Sequence, residues 1–133
     1  MIYRALFLCA VLLPLQAGQL ILPGKALERD RPVVVTYRFA RQGTGKGELS
    51  VNWTDALGRV VEDRQQPFVL TDETDVRFPL DLRRAVSMAN TLTVHAAFDG
   101  VDKKGAPDRR DERESAAFTA KPREHGWRDY QII

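Results

Sequence analysis

The sequence predicts an all-β domain, a sandwich of about seven short strands. Three observations carry this. Apolar residues recur at every second position around Tyr37, Trp53, Phe78 and Val94, the period of a strand with one buried face. Clusters of glycine, proline and aspartate separate these stretches, as turns require. Beyond the N-terminus only residues 81–90 show helical spacing. With 133 residues there is room for one domain and one core.

In chain order, residues 1–17 read as a secretory signal peptide. Arg4 supplies a positive charge, Ala5 to Leu15 form an apolar run, and Gln16-Ala17-Gly18 offers small residues for cleavage after Ala17. The run contains Pro14 and is shorter than the ~20 residues of a membrane span, so the segment is a signal and not an anchor. The single cysteine, Cys9, lies inside it. The exported protein is therefore expected to carry no thiol, disulfide or cysteine-based zinc site, and to hold together by packing alone.

Residues 18–122 are expected to form the sandwich. Gln19 to Leu22 read as a short edge strand, broken by Pro23-Gly24, and Lys25 to Arg31 as a polar loop. In Val33 to Ala40, Val33, Val35, Tyr37 and Phe39 share a face, and the stretch is rich in β-branched and aromatic residues. Gln42 to Gly47, with three glycines, is expected to turn the chain. Then follows the best-formed hairpin, Gly47 to Val61. Leu49, Val51 and Trp53 line one face; Ser50, Asn52 and Thr54 line the other. Asp55-Ala56-Leu57-Gly58 makes the turn, and Val60-Val61 opens the return strand. Trp53 is expected to anchor the core.

Pro67 marks an edge or a break, and Val76, Phe78 and Leu80 alternate inward. Asp81 to Asn90 is expected to form a short helix capped by Asp81. Leu92, Val94, Ala96 and Phe98 define another inward face. Gly100 to Arg113 reads as a long, charged, solvated loop. Ala116, Phe118 and Ala120 mark the last strand, which Pro122 ends. Many short strands with turns between them point to an immunoglobulin-like or fibronectin-III-like sandwich. Residues 123–133 are expected to be a linker or the start of a following domain.

Charged residues make up 29% of the chain at a net charge of +2. Near-balance argues against a nucleic-acid binder, and no cofactor or metal is expected. His95 and His125 are far apart in sequence and lack neighbouring ligands for zinc. Asp72, Glu73 and Asp75 could offer oxygens to calcium, but read better as a solvated turn. Thr44-Gly45-Lys46 resembles the end of a phosphate loop without its first glycine or its helix. Ser50, Ser87 and Ser115 have no histidine and acid nearby in sequence, although such triads assemble in space. Lys103, Lys104, Arg109, Arg110 and Arg113 alternate with Asp102, Asp108, Asp111, Glu112 and Glu114, so the signs cancel.

Two groups of residues carry a family resemblance. The first is Val51-Asn52-Trp53-Thr54-Asp55 with Gly58-Arg59-Val60-Val61. The second is Phe118-Thr119-Ala120-Lys121-Pro122, followed by Trp127-Arg128-Asp129-Tyr130-Gln131-Ile132-Ile133. Together they resemble the N-terminal β-sandwich module of bacterial β-galactosidase-like, family-42-type glycoside hydrolases. The resemblance implies a non-catalytic accessory module of an exported carbohydrate-active protein, with the catalytic carboxylates in a following barrel and none on this chain. It also implies that the chain is part of something larger. Trp127, Tyr130, Ile132 and Ile133 would dock a following catalytic domain or a partner protein. The alternative is an independent exported binding or adhesion domain, with carbohydrate as a possible ligand.

Overall fold

A computed structural model describes residues 18–122. They are all-β apart from one 3₁₀ turn: β1 (Gln19–Ile21), β2 (Ala26–Glu28), β3 (Pro32–Asp55), β4 (Val60–Asp81), β5 (Ala89–Val101) and β6 (Pro107–Lys121). The strands form one sheet in the order β1-β3-β5-β6-β2, with β4 also on β3. All pairs are antiparallel except β2 with β6.

Length dictates the shape. β3 has 24 residues and β4 has 22. A straight strand of 24 residues would span roughly 80 Å, whereas a 100-residue domain has a radius of gyration of only about 13 Å. Both strands must bend. The bend falls where the β3–β4 ladder loses register, between Arg38 and Thr44. Before it, β3 lies between β1 and the far arm of β4; after it, between β5 and the near arm of β4. The one sheet is thereby folded into two facing layers.

The alternating apolar residues meet between the layers. Val35, Tyr37 and Phe39 come from the first arm of β3, and Leu49, Val51 and Trp53 from the second. Val76, Phe78 and Leu80 of β4, Leu92, Val94, Ala96 and Phe98 of β5, and Phe118 and Ala120 of β6 complete the core. Trp53 is fully buried. Its indole Nε1 donates to Asn90 Oδ1 at 2.9 Å, and its ring lies 5.8 Å from that of Phe118. The Asn90 amide in turn donates to the carbonyls of Ser87 and Met88, both at 3.0 Å, so the buried N–H has a partner that is itself fixed.

One turn design closes both tight hairpins. In Asp55–Arg59, Asp55 N–H donates to the Arg59 carbonyl and Gly58 N–H to the Asp55 carbonyl, while Asp55 Oδ1 accepts from Leu57 and Arg59 N–H at 2.9 and 3.0 Å. In Asp102–Ala106 the same bonds recur, with Asp102 Oδ1 accepting from Lys104 and Ala106 N–H at 2.8 and 2.9 Å. The fourth residue is glycine in both, at φ 78° and 80°, a conformation that glycine adopts without steric cost.

The outer edge of β4, which pairs with β3 alone among the described strands, is blunted. Pro67 and Pro79 remove amide donors. The Gln66 side chain donates to the Arg77 carbonyl at 3.3 Å, Arg64 to that of Pro79 and Arg84 to that of Val61 at 2.9 Å. An edge so occupied is a poor template for pairing with another strand.

The strands are fewer and longer than the sequence suggests. Gln42 to Gly47 is not a turn but the bulged middle of β3, because its glycines permit close strand approach. Lys25 to Arg31 contains β2, a strand too short to show alternation. Helical structure in 81–90 is confined to the 3₁₀ turn Leu82–Arg84. Asp81 caps it as expected, accepting from Arg83 N–H at 3.1 Å, but Ala85 is already extended. Gly100 to Arg113 is not a long loop: the turn occupies only Asp102 to Ala106, and β6 begins at Pro107.

Truncating Trp53 to Ala should cost about 3–5 kcal/mol, whereas Asn52→Ala on the opposite face should change stability by less than about 0.5 kcal/mol. Urea midpoints of the two variants check this; equal midpoints would remove Trp53 as the anchor.

Candidate functional site

β6 enters the sandwich with charged residues on its inward face. Asp108 and Arg110 are buried, Glu112 and Glu114 half-buried, and only at Phe118 does the strand meet the apolar core. Burial of charge is costly unless each group is paired and hydrogen-bonded, and the pairing here is dense.

Arg110 Nε and Nη2 donate to the two carboxylate oxygens of Asp108 at 3.1 and 2.7 Å. Nη1 and Nη2 also donate to the carbonyls of Arg41 and Gln42, each at 2.8 Å. Those carbonyls lie where β3 has lost its ladder with β4. The guanidinium sits 5.2 Å from the ring centroid of Phe39 and 5.0 Å from that of Phe98, a cation–π arrangement. Phe68 completes the aromatic group, stacked on Phe98 at 6.2 Å. Gly43 is required here, since a Cβ would come within 2.8 Å of Arg110 Nη2 and 3.2 Å of the Phe98 ring. Hydrogen bonds from Arg110, with the charges of Arg110 and Arg41, hold the Asp108 carboxyl below its ordinary range.

Outside this corner lies an open cleft of about 690 Å³, between the β3 bulge, the bend of β4 and the β5–β6 turn. Arg41, Thr44, Asp72, Lys103, Lys104 and Asp108 line it. Arg41 donates to Asp108 at 2.7 Å, and the Thr44 hydroxyl accepts from Asp72 N–H at 3.0 Å. Asp72 is in the left-handed region at φ 55°, where aspartate is tolerated better than most residues. The cleft offers charge and hydrogen-bonding capacity of both signs.

A second polar surface is the outer face of the layer built by β4, β3, β5 and β6. Register aligns Asn52 with Thr93 and Ser115, and Ser50 with His95 and Arg113. Thr93 and Ser115 hydroxyls are 3.0 Å apart, and His95 Nε2 contacts Asp111 Oδ1. The fold thus brings Ser50, His95 and Asp111 onto one face, a juxtaposition that sequence distance concealed. Ser50 makes no hydrogen bond to His95 among the described contacts. Nucleophile activation needs that bond.

The other sequence candidates are dispersed. Thr44-Gly45-Lys46 lies within β3 and opens no helix. Asp75 is committed to Arg38, and Glu73 accepts from Thr71 N–H at 3.2 Å. Among the described residues no three His, Cys, Asp or Glu side chains converge on one point. Ser87 donates to the Ala89 carbonyl at 2.9 Å. His125, Trp127, Tyr130, Ile132 and Ile133 lie outside the described residues. The Asp108–Arg110 clasp was not foreseen: its alternation is of charged residues, which carries no hydrophobic signal. The repeated D-x-x-G pattern at Asp55 and Asp102 would have located the second turn, and with it the start of β6.

No known protein-family model matches this chain, and no curated protein matches it.

Asp75 supplies a pH-dependent test. Arg38 Nε and Nη2 donate to its two oxygens at 2.8 and 3.0 Å, and the Thr74 hydroxyl donates at 2.8 Å. These bonds hold its pKa at about 2, below the unfolded value near 4. The ionised group therefore stabilises the fold fully above about pH 4 and loses that contribution as pH falls through about 2. Asp75→Asn should be less stable than the native chain at pH 7 and should lose less stability between pH 4 and 2. Acid series of urea midpoints for the two proteins decide; parallel curves would contradict the assignment.

Proposed function

We propose that this chain is the non-catalytic β-sandwich module of an exported carbohydrate-active protein, of the immunoglobulin-like or fibronectin-III-like kind, and that it docks a neighbouring catalytic domain through the segment after Pro122. One observation carries the reading. Ala120 N–H donates to the Met88 carbonyl at 2.8 Å, so β6 leaves the sandwich beside Met88. Met88 is 48% exposed and Val86, two residues before it, 59%. Asp55 pairs with Asn90 at the same end, which brings in the β3–β4 turn with Leu57 and Val60, 77% and 60% exposed. Several exposed apolar side chains at one end of a small domain suit a docking surface. Trp127, Tyr130, Ile132 and Ile133 follow directly in sequence and supply matching apolar groups.

The resemblance to family-42-type glycoside hydrolases supports the same reading through Asn52-Trp53-Thr54-Asp55 and Trp127-Arg128-Asp129-Tyr130-Gln131. Within the sandwich these motif residues do structural work: Trp53 fills the core and Asp55 builds the turn. Any glycosidase carboxylates would belong to the neighbouring domain. The polar outer face, with Ser50, Asn52, Thr93, His95, Arg113 and Ser115 and no Phe, Tyr or Trp among them, favours a second reading, an exported domain that binds a polar partner by itself.

An antibody raised against residues 18–122 separates the two. In exported material from the source cell, the module reading predicts a band far larger than the 15.0 kDa of this chain. A band at or slightly below that mass would refute the module and leave the independent binding domain.

A further inference from the structure

Glu112 differs from the inward acids that hold an arginine. Asp55, Glu62, Asp75 and Asp108 each pair with an arginine. Glu112 Oε1 instead accepts from two neutral groups, the Tyr37 hydroxyl at 2.5 Å and the Gly18 N–H at 3.1 Å. No lysine, arginine or histidine among the described residues forms an ion pair with it. Glu114 adds a second negative charge on the same inward face. Burial and these two glutamates push the Tyr37 phenol far up, so it remains a donor. Among the described residues the site has excess negative charge and no paired cation.

Gly18 is built to fit there. It is buried, and a Cβ would come within 2.6 Å of the Tyr37 hydroxyl, 2.7 Å of the Arg38 carbonyl and 2.8 Å of Glu112 Oε1. Only glycine can occupy the position. The Ala17–Gly18 bond is also the one the sequence marks for signal cleavage.

We propose that cleavage between Ala17 and Gly18 creates the missing cation: the new α-ammonium of Gly18 seats on Glu112 and locks β1 against β6. This rests on the export reading above. In the step, water adds across the Ala17–Gly18 amide under a signal peptidase. The C–N bond breaks, Ala17 keeps the carboxylate, and the Gly18 nitrogen becomes a protonated amine. A hydrogen bond in which only the carboxylate is charged is replaced by one in which both partners are charged, N⁺–H to O⁻. β1 has three residues and among the described strands pairs with β3, and the Gly18–Glu112 hydrogen bond links its start to β6 across the seam between the layers. The precursor lacks this tie in its charged form and is accordingly the looser state, as suits a chain awaiting export.

The test uses chain 18–133 released from a fusion so that Gly18 is the first residue, in native and Glu112→Gln forms, each with and without Nα-acetylation. Acetylation should lower the melting midpoint of the native chain by roughly 4 °C or more and should change Glu112→Gln little. Separately, an amine-acylating reagent at pH 7 should modify Gly18 of the native chain more slowly when folded than in urea, a readout that does not need the variant to fold. Equal acetylation effects in both backgrounds, or equal acylation rates folded and unfolded, would overturn the ion pair and leave the export reading untouched. Intact mass of exported material gives the other arm. A first residue of Gly18 supports the proposal. A different first residue overturns it, and retention of residues 1–17 in that material overturns the signal-cleavage reading with it.

Discussion

The clasp of Arg110 on the β3 bulge is the interaction on which the rest of this architecture depends. Folding one sheet into two layers forces β3 out of register with β4 near Gly43. That leaves the Arg41 and Gln42 carbonyls without ladder partners at a half-buried corner. Unpaired buried backbone groups are costly. Arg110 reaches across from β6 and satisfies both, while Asp108 neutralises it and Phe39 and Phe98 flank its plane. Lysine could not substitute, because the site uses the planar fork with several donors at fixed angles. One side chain thus ties the last strand to the corner that shapes the whole sheet.

The core is consequently of two kinds. At one end it is apolar and centred on Trp53, Phe118 and the Asn90 carboxamide. At the other, three phenylalanines are capped by a buried ion pair, and the half-buried Glu112 and Glu114 continue the polar strip along β6. Ion pairs in such a place contribute less to net stability than an apolar replacement of the same shape would, once desolvation is counted. Their value lies in geometry. They admit only one register of β6 against the bulge, since a slip by one residue would turn Asp108 and Arg110 outward and leave the carbonyls unpaired. The cleft with Arg41, Lys103 and Lys104 lies directly outside this fixed corner, and the end that exposes Leu57, Val60, Val86 and Met88 lies at the opposite pole.

Legibility in the sequence followed hydrophobicity closely. Alternation around Tyr37, Trp53, Phe78 and Val94 points to the all-β fold and to most of the apolar core, because burial of one face imposes a period of two, but not to Leu27, Phe68, Leu70 or Leu82. The same reading failed wherever the inward residues are charged. β6 from Asp108 to Glu114 reads in sequence as a solvated loop because its inward residues are charged, and the pairing of Asp108 with Arg110 and of Glu112 with Tyr37 is visible only in space. Glycines were over-read as turns: Gly43, Gly45 and Gly47 serve a continuous strand that must bend and be approached closely. Helical spacing at 82–89 was weaker evidence than the need of Trp53 for Asn90, which pulls the chain out of helix after Arg84. The His95–Asp111 contact and the Glu112–Gly18 contact both join residues distant in sequence and could only emerge from register.

The most direct measurement of the central claim is the unfolding free energy of Arg110→Met, a substitution that keeps much of the length and apolar contact of the side chain while removing every donor. If the clasp holds the corner, Asp108 is left as a buried carboxylate and two carbonyls lose their partners. Urea denaturation should then show a loss of about 3–5 kcal/mol, as when one partner of a buried pair is removed. A loss below about 1 kcal/mol, the scale of an exposed surface pair, would contradict the account and shift the origin of the bend to the glycines of β3 alone.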